Sequence, residues 1–518
     1  MHARIYSASV IGVQAYLVEV EVDLSFGLLN FMIVGLADTA IKESRQRVAT
    51  ALKHCGIKIP ERKITINLAP ADLKKEGTLF DLPIALGILC AAGLLEISKD
   101  FLSQTIVLGE LSLDGTIRKV KGVLPIACDM ARLGKTRLIV PQENAAEASL
   151  IPGVEVIGVS SLIELIAYLK GEKDIQPAAS VPLEQKRCSG EGDFADVIGQ
   201  MQAKRTMQIA VAGQHNILFI GSPGAGKTML AKRILSIMPP MTFEEILETN
   251  KIYSICGKLP DNELVLRRPF RAPHHTISPV GLVGGGSFPQ PGEISLAHHG
   301  VLFLDELTEF KKSTIELLRQ PLESRQISIA RAQYSMNFPS SFLLVAALNP
   351  CPCGFFGDRY KKCSCTSQMI VRYLEKLSGP LLDRIDLQVS VPAVDYETIK
   401  AAHAGKKESL SSQELYEGVV RARNTQCKRF GSSLMGNAHM LAESVQVHCA
   451  LTPKAEELVK KAFERLGLSM RGYHKLLKVA RTIADIEGLE TIDEAQVTEA
   501  IMYRSLDQSF ERTIQIKK

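Results

Sequence analysis

The chain has little that would hold it in a membrane or send it out of the cell. Its most apolar stretch, "LPIALGILCAAGLL", is shorter than the roughly 20 residues a spanning helix needs. The N-terminus, "MHARIYSASVIGVQAYLVEVEVDLS", lacks a basic stretch followed by an apolar block, so no secretory leader is expected. An excess of one charge is also missing. The 61 Lys and Arg against 56 Asp and Glu leave a net +5 over 518 residues. So mild a balance permits a nucleic-acid partner without arguing for one. There is no internal repeat. A cytoplasmic protein without membrane association is expected. Disulfides are not expected in that compartment, although the chain holds eleven cysteines.

What is present is ordinary globular composition, 46% hydrophobic and 23% charged. At roughly 100–200 residues per domain the length suggests about three domains. Residues 1–172 mix strands and helices. "AYLVEVEVDLS" and "RKITINLAP" alternate at period two, as half-buried strands do. "DTAIKESRQRVATALKHCG" reads as a helix with Asp38 as N-cap and Gly56 just past its end. Residues 173–193 are rich in Pro, Ser and Gly and read as a linker. From 194 to 395 short apolar strands alternate with helices, which predicts a parallel sheet. From 396 to 518 the chain is mostly helical with charged faces.

The strongest signal is "ILFIGSPGAGKTMLAKRIL". It fits G-x-x-x-x-G-K-[ST] over Gly221, Ser222, Pro223, Gly224, Ala225, Gly226, Lys227 and Thr228, with a strand before it and a helix after. Glycines let backbone N–H groups turn inward around phosphates. Lys227 is expected at the β- and γ-phosphates of ATP, and the Thr228 hydroxyl on Mg²⁺. "GVLFLDEL" is an apolar strand ending in Asp305 and Glu306. Asp305 is expected to hold the Mg²⁺ through water and Glu306 to polarise an attacking water, which suits hydrolysis. "FLLVAALNP" predicts a third core strand, with Asn349 orienting the same water. Arg384 in "GPLLDRIDL" is a candidate arginine finger; the competing reading is a surface salt bridge. Arg471 in "GLSMRGYHKLLKVARTIAD" is placed to reach the γ-phosphate of its own subunit.

"NPCPCGFFGDRYKKCSC" puts Cys351, Cys353, Cys363 and Cys365 on the loop leaving that third strand. The pattern is C-x-C, nine residues, C-x-C. Four soft thiolates suit tetrahedral, structural Zn²⁺. Reduced unligated thiols and a redox pair are the alternatives. "ESRQISIARAQYSMNFPSSF" predicts a β-hairpin with Arg331 and Tyr334 near its tip. A guanidinium and a ring suit a single DNA strand; a solvated surface hairpin is the alternative. The paired histidines His274–His275 and His298–His299 read as structural or sensing hydrogen-bond formers rather than metal ligands. "GLVGGG" has no strand before it and reads as a flexible loop, not a dinucleotide site.

These features resemble the AAA+ ATPases, and within them the magnesium-chelatase-like branch. "DFADVIGQMQAKRTMQIAVAGQHNILFIG", "RPFRAPHHTIS", "GGGSFPQPGEISLAHHGVLFLDE" and "SMRGYHKLLKVARTIADIEG" are similar to the YifB/ComM family of bacteria, essentially along the whole chain. The resemblance implies an AAA+ P-loop α/β domain with a C-terminal helical lid. It implies a hexameric, nucleotide-dependent homo-oligomer that drives DNA branch migration on single-stranded, forked or branched DNA, in recombination or natural transformation. It puts Val197, Ile198 and Gly199 near the adenine, Arg384 on the neighbour's ATP, Arg471 as the second sensor, and the Arg331–Tyr334 hairpin in a central channel.

The first 172 residues resemble a Lon-protease-like (ribosomal S5 domain 2-like) α+β domain through "LAPADLKKEGTLFDLPIALGIL" and "LGELSLDGTIRKVKGVLPIACDMARLG". The protease needs a serine and a lysine there. Those positions hold Leu79 and Ile126, which supply neither nucleophile nor base. Lys121 lies nearby without a serine. A non-catalytic scaffold is expected; Thr78 is the alternative nucleophile. The competing functions are a protein-remodelling ATPase and a magnesium-chelatase subunit.

Overall fold

Alternation along the first strands becomes a half-buried sheet in the computed structural model. The described residues are 2–27, 30–59, 62–179, 192–260, 264–286, 289–331, 334–403 and 410–504; for Arg331, Tyr334 and 401–403 only the backbone is described. Most of the expected linker lies outside them. The chain divides into two units, Met1–Glu184 with Leu247–Val265, and Gln185–Ile246 with Leu266–Lys518.

In the first unit, His2–Ile11 and Gln14–Ser25 form an antiparallel hairpin. Lys63–Ala69 adds antiparallel to Gln14–Ser25, and Asn30–Val34 adds parallel to Lys63–Ala69. Val18, Val20, Val22 and Leu24 point into the core, as do Ile64, Ile66 and Leu68. Both strands are the ones the period-two alternation predicts. The predicted helix runs Thr39–His54; Asp38 accepts from the Ile41 N–H at 2.8 Å. A second helix, Asp81–Ala91, is buried almost all round. It packs so closely that a Cβ on Gly87 would sit 2.6 Å from Val22. Its first residue, Asp81, is buried but takes Arg47 on both oxygens, at 2.6 and 2.9 Å. A buried carboxylate is tolerable only with such a partner. A smaller parallel sheet follows, in the order Thr105–Val107, Arg137–Pro141, Glu155–Val159. Ile126 is buried and Leu79 packs against apolar side chains. The Thr78 hydroxyl donates to Glu110, and Lys121 is exposed.

The second unit carries a five-stranded, all-parallel sheet. Its order is Phe270–Arg271, Val301–Leu304, Leu343–Leu348, Ile217–Ile220, Leu387–Ser390. All six residues of Leu343–Leu348 are buried, because a central parallel strand is covered on both faces. Helices follow from Tyr396 onward. Ser411 and Glu414 form a capping box on Ser412–Phe430, and Ser469 caps Met470–Glu487. Val419, Leu476, Ala480 and Ile483 from these helices join Ile217, Phe219 and Val345 of the sheet in one apolar core. Mixed α/β structure with this parallel sheet fits an AAA+-like domain. Among the described residues no helix is long and apolar enough to cross a membrane.

"GLVGGG" is not simply a flexible loop. Pro279–Val283 is a short helix capped by Ser278, and Gly284–Gly285 pairs antiparallel with Gln290–Pro291. Gly284 has φ +108°, and a Cβ there would lie 2.3 Å from the Gln290 carbonyl oxygen. The glycines permit this close backbone approach.

Candidate active site

Three neighbouring strands deliver the site. Leu304 pairs with Ala346, and Ile220 with Leu348. Their next residues, Gly221, Asp305 and Asn349, therefore leave the sheet together at the carboxyl ends of its strands, where ligands of open parallel sheets bind.

Lys227 opens the helix Lys227–Arg233. Its ammonium donates to the carbonyls of Gly221 and Ser222, at 2.6 and 3.0 Å, and to Asn349 Oδ1 at 3.0 Å. Burial pushes its pKa down, against the opposing pull of Asp305 and Glu306. The Thr228 hydroxyl donates to Asp305 Oδ2 at 2.6 Å. Asp305 Oδ1 accepts from the Glu306 N–H at 2.9 Å. Lys227, Thr228, Asp305 and Asn349 thus form one cluster from residues up to 122 positions apart.

Glu306 sits in the left-handed region at φ +50°. Such a backbone is uncommon for a side-chain-bearing residue and clusters at functional sites. Its carboxylate is more than half exposed and lies 3.7 Å from His275 Nδ1. Sequence reasoning missed this pairing. His274 instead lies 3.0 Å from the Thr276 hydroxyl. His298 Nδ1 accepts from the Ser341 N–H at 3.0 Å.

The loop can take phosphates. Gly224 and Gly226 have φ +79° and +91°, and nothing lies within 4 Å of a Cβ on Gly224. Gly221 is pressed against the chain after the last strand; a Cβ there would sit 2.2 Å from the Val391 carbonyl oxygen. Val197 is buried, and its carbonyl accepts from Lys204 at 2.7 Å. Ile198 is half-buried, and Gly199 faces Val394 and Thr398. This stretch and the phosphate loop therefore border the same 391–398 segment.

Arg384 and Arg471 are not in that cluster. Both donate to Glu323, Arg471 at 2.9 Å. Arg471, expected near the γ-phosphate of its own subunit, here shares the Glu323 carboxylate with Arg384. Arg331 pairs with Tyr334 across the hairpin of Gln326–Arg331 and Tyr334–Pro339. Their side chains lie outside the described residues.

Three family models match: "Magnesium chelatase, subunit ChlI" over residues 193–399, "Subunit ChlI of Mg-chelatase" over 20–144, and "Magnesium chelatase, subunit ChlI C-terminal" over 409–504. Competence protein ComM of Haemophilus influenzae is 44% identical over 511 residues, 97% of each chain. YifB of Salmonella typhimurium is 41% identical over 507 residues, 98% of this chain and 97% of its own. The chain belongs to the YifB/ComM family. A more distant likeness, 22% over 348 residues, links it to DNA helicase MCM8 of Xenopus laevis, covering 62% of this chain and 37% of that one. The YifB/ComM sheet, phosphate loop and acidic strand end are together those of an AAA+-like ATPase.

Proposed function

We propose that this protein hydrolyses ATP as a homohexameric motor on DNA, driving branch migration in homologous recombination or natural transformation. The observation that carries the ATPase half is the hydrogen-bonded cluster of Lys227, Thr228, Asp305 and Asn349. The DNA half draws on the ComM relative, named for competence, and on the distant helicase likeness.

The donor set fits a magnesium nucleotide. Thr228 and Asp305 are already in contact and would hold Mg²⁺, whose charge offsets that of the phosphates when bound. Lys227 would exchange its carbonyl partners for phosphate oxygens. Glu306, turned out at the strand end, would hold and polarise the attacking water, with Asn349 orienting it. Val197, Ile198 and Gly199 would border the adenine. Arg384 would reach a neighbour's nucleotide, so each site would need two subunits. Arg331 and Tyr334 would meet the DNA backbone and bases in the channel.

The test is ATP turnover without DNA and with single-stranded, forked and four-way-junction DNA, together with strand separation. Stimulation by DNA that weakens with salt is expected, because phosphate contacts release counterions. Flat turnover across all substrates favours the protein-remodelling reading. The chelatase-subunit models favour a second reading, insertion of Mg²⁺ into a porphyrin. It would require turnover to respond to a porphyrin and partner subunits instead of DNA.

A further inference from the structure

The loop from Cys351 to Cys365 contains no helix or strand. Its thiols nevertheless converge. Cys351 Sγ lies 3.3 Å from Cys353 Sγ and 3.7 Å from Cys363 Sγ, and Cys353 and Cys363 are 3.6 Å apart. All four sulfurs, Cys365 included, lie within 4.8 Å of one another. A tetrahedron with Zn–S bonds of about 2.3 Å has sulfur–sulfur edges of about 3.8 Å. Backbone N–H groups point at the sulfurs as well: Cys353 N donates to Cys365 Sγ and Cys365 N to Cys363 Sγ, both at 3.4 Å. Such donors suit thiolates.

The loop is held between two surfaces. On one side the thiols pack against Ile370, Tyr373 and Leu374. On the other it meets the phosphate loop. Gly354 backs onto Pro223 so closely that a Cβ would lie 2.5 Å from the proline Cδ. The Asp358 carboxylate accepts from the N–H groups of Tyr360 and Lys361, at 2.8 and 3.0 Å, and meets the Ser222 side chain. At its start, Asn349 already holds Lys227.

We propose that Cys351, Cys353, Cys363 and Cys365 bind one structural Zn²⁺, and that the metal-locked loop is a strut that sets the shape of the phosphate loop through Gly354–Pro223 and Asp358–Ser222. Zinc replaces the four thiol protons with four Zn–S bonds, and no electron is transferred. A closed four-sulfur site leaves no position for substrate, so the role is mechanical. The strut rests on reading the Gly221–Thr228 loop as the nucleotide site, but not on DNA being the substrate.

Elemental analysis of the full chain purified without chelator should find one zinc per chain, with four thiols protected until the metal is released. Cys351→Ser and Cys363→Ser should lose it. Stripping zinc with an organomercurial and a chelator, then restoring it, should weaken and recover binding of a fluorescent ATP analogue. A change of roughly tenfold is expected, the scale of one lost positioning hydrogen bond. Circular dichroism on the stripped protein separates this from unfolding. Asp358→Asn and Gly354→Ala should keep the zinc yet weaken the analogue. Protein without metal and with four freely titratable thiols, or with two disulfides, overturns the site. Zinc whose removal leaves analogue binding unchanged overturns the strut. Loss of DNA stimulation alone would overturn only the DNA motor.

Discussion

Glu323 accepts hydrogen bonds from both Arg384 and Arg471, one on each carboxylate oxygen. The Arg384 bond is the first cause holding this carboxyl below its usual range. Arg384 is anchored further. It donates to the Pro380 carbonyl at 2.6 Å, and its own carbonyl accepts from Asn216 at 3.2 Å. Its buried Nε has no partner among the described residues. Asn216 directly precedes Ile217–Ile220, whose other end opens into the phosphate loop. Four strand residues span about 13 Å. The two arginines therefore cluster toward the amino end of that strand, away from Lys227 at its carboxyl end, which favours one shared target on a neighbouring subunit. Arg471→Ala should then behave like Arg384→Ala: nucleotide affinity near normal, turnover down by about 10³-fold, as for arginine fingers. Glu323→Gln should cost less, and adding it to Arg384→Ala should cost nothing more. Equilibrium binding alongside steady-state turnover checks this. Arg471→Ala that loses affinity in the isolated chain would return Arg471 to its own nucleotide.

A site shared between subunits, as proposed, would make turnover depend on assembly. On the proposed mechanism Lys227→Ala chains would lack a phosphate contact and Arg384→Ala chains the arginine finger. Neither should turn over alone. Mixed, they should regain activity at interfaces that pair an intact loop with an intact arginine. Turnover titrated against mixing ratio measures it. A strictly monomeric active species without complementation would refute the arrangement.

Glu306 and Asp305 are adjacent but should fail differently. Glu306→Gln keeps the shape and removes the proposed base, so nucleotide should bind and turnover should fall by about 10²–10⁴-fold, the range of general-base catalysis. Asp305→Ala removes the Thr228 partner and should weaken Mg²⁺-dependent binding itself. His275→Ala should lower turnover modestly, since it withdraws only a neighbour 3.7 Å from Glu306. Binding and single-turnover measurements separate the three. Equal loss of affinity in all would remove Glu306 from the chemistry.

The phosphate loop was legible because its chemistry is local: eight consecutive residues between a strand and a helix. So were the alternating strands and the Asp38 cap. Asp305 and Asn349 were legible as the ends of apolar runs, and the parallel sheet then brings them to Lys227. Glu323 was not. In "LLRQPLESRQ" it is a lone exposed acid with no motif around it, and its partners lie 61 and 148 residues away. The contact of Gly354 with Pro223 was hidden for the same reason, since no periodicity records where a loop lands. "GLVGGG" misled because glycine signals both freedom and close packing, and only the Gln290 backbone distinguishes them.

Asp386 is the last such long-range contact. It is buried just before the strand Leu387–Ser390. Lys475 lies 2.8 Å away and His215 Nδ1 3.4 Å. Burial pushes the Asp386 carboxyl up, but Lys475 and His215 outweigh it and hold it well below the usual range. Lys475 stands one turn after Arg471 on Met470–Glu487, so the pair ties the arginine-bearing helix to the sheet. Asp386→Asn leaves a buried ammonium uncompensated and should cost about 3–5 kcal/mol; adding Lys475→Met should recover much of it. The sign of the pH effect follows from the depressed pKa. The pair's stability is fully present above the unfolded carboxyl value of about 3.9 and is lost as pH falls from there toward the folded one. The gap between parent and Asp386→Asn in denaturant midpoint should therefore be widest near neutrality and shrink below about pH 4. A gap unchanged from neutral to acid would mean that the carboxylate's charge is not what binds the helix.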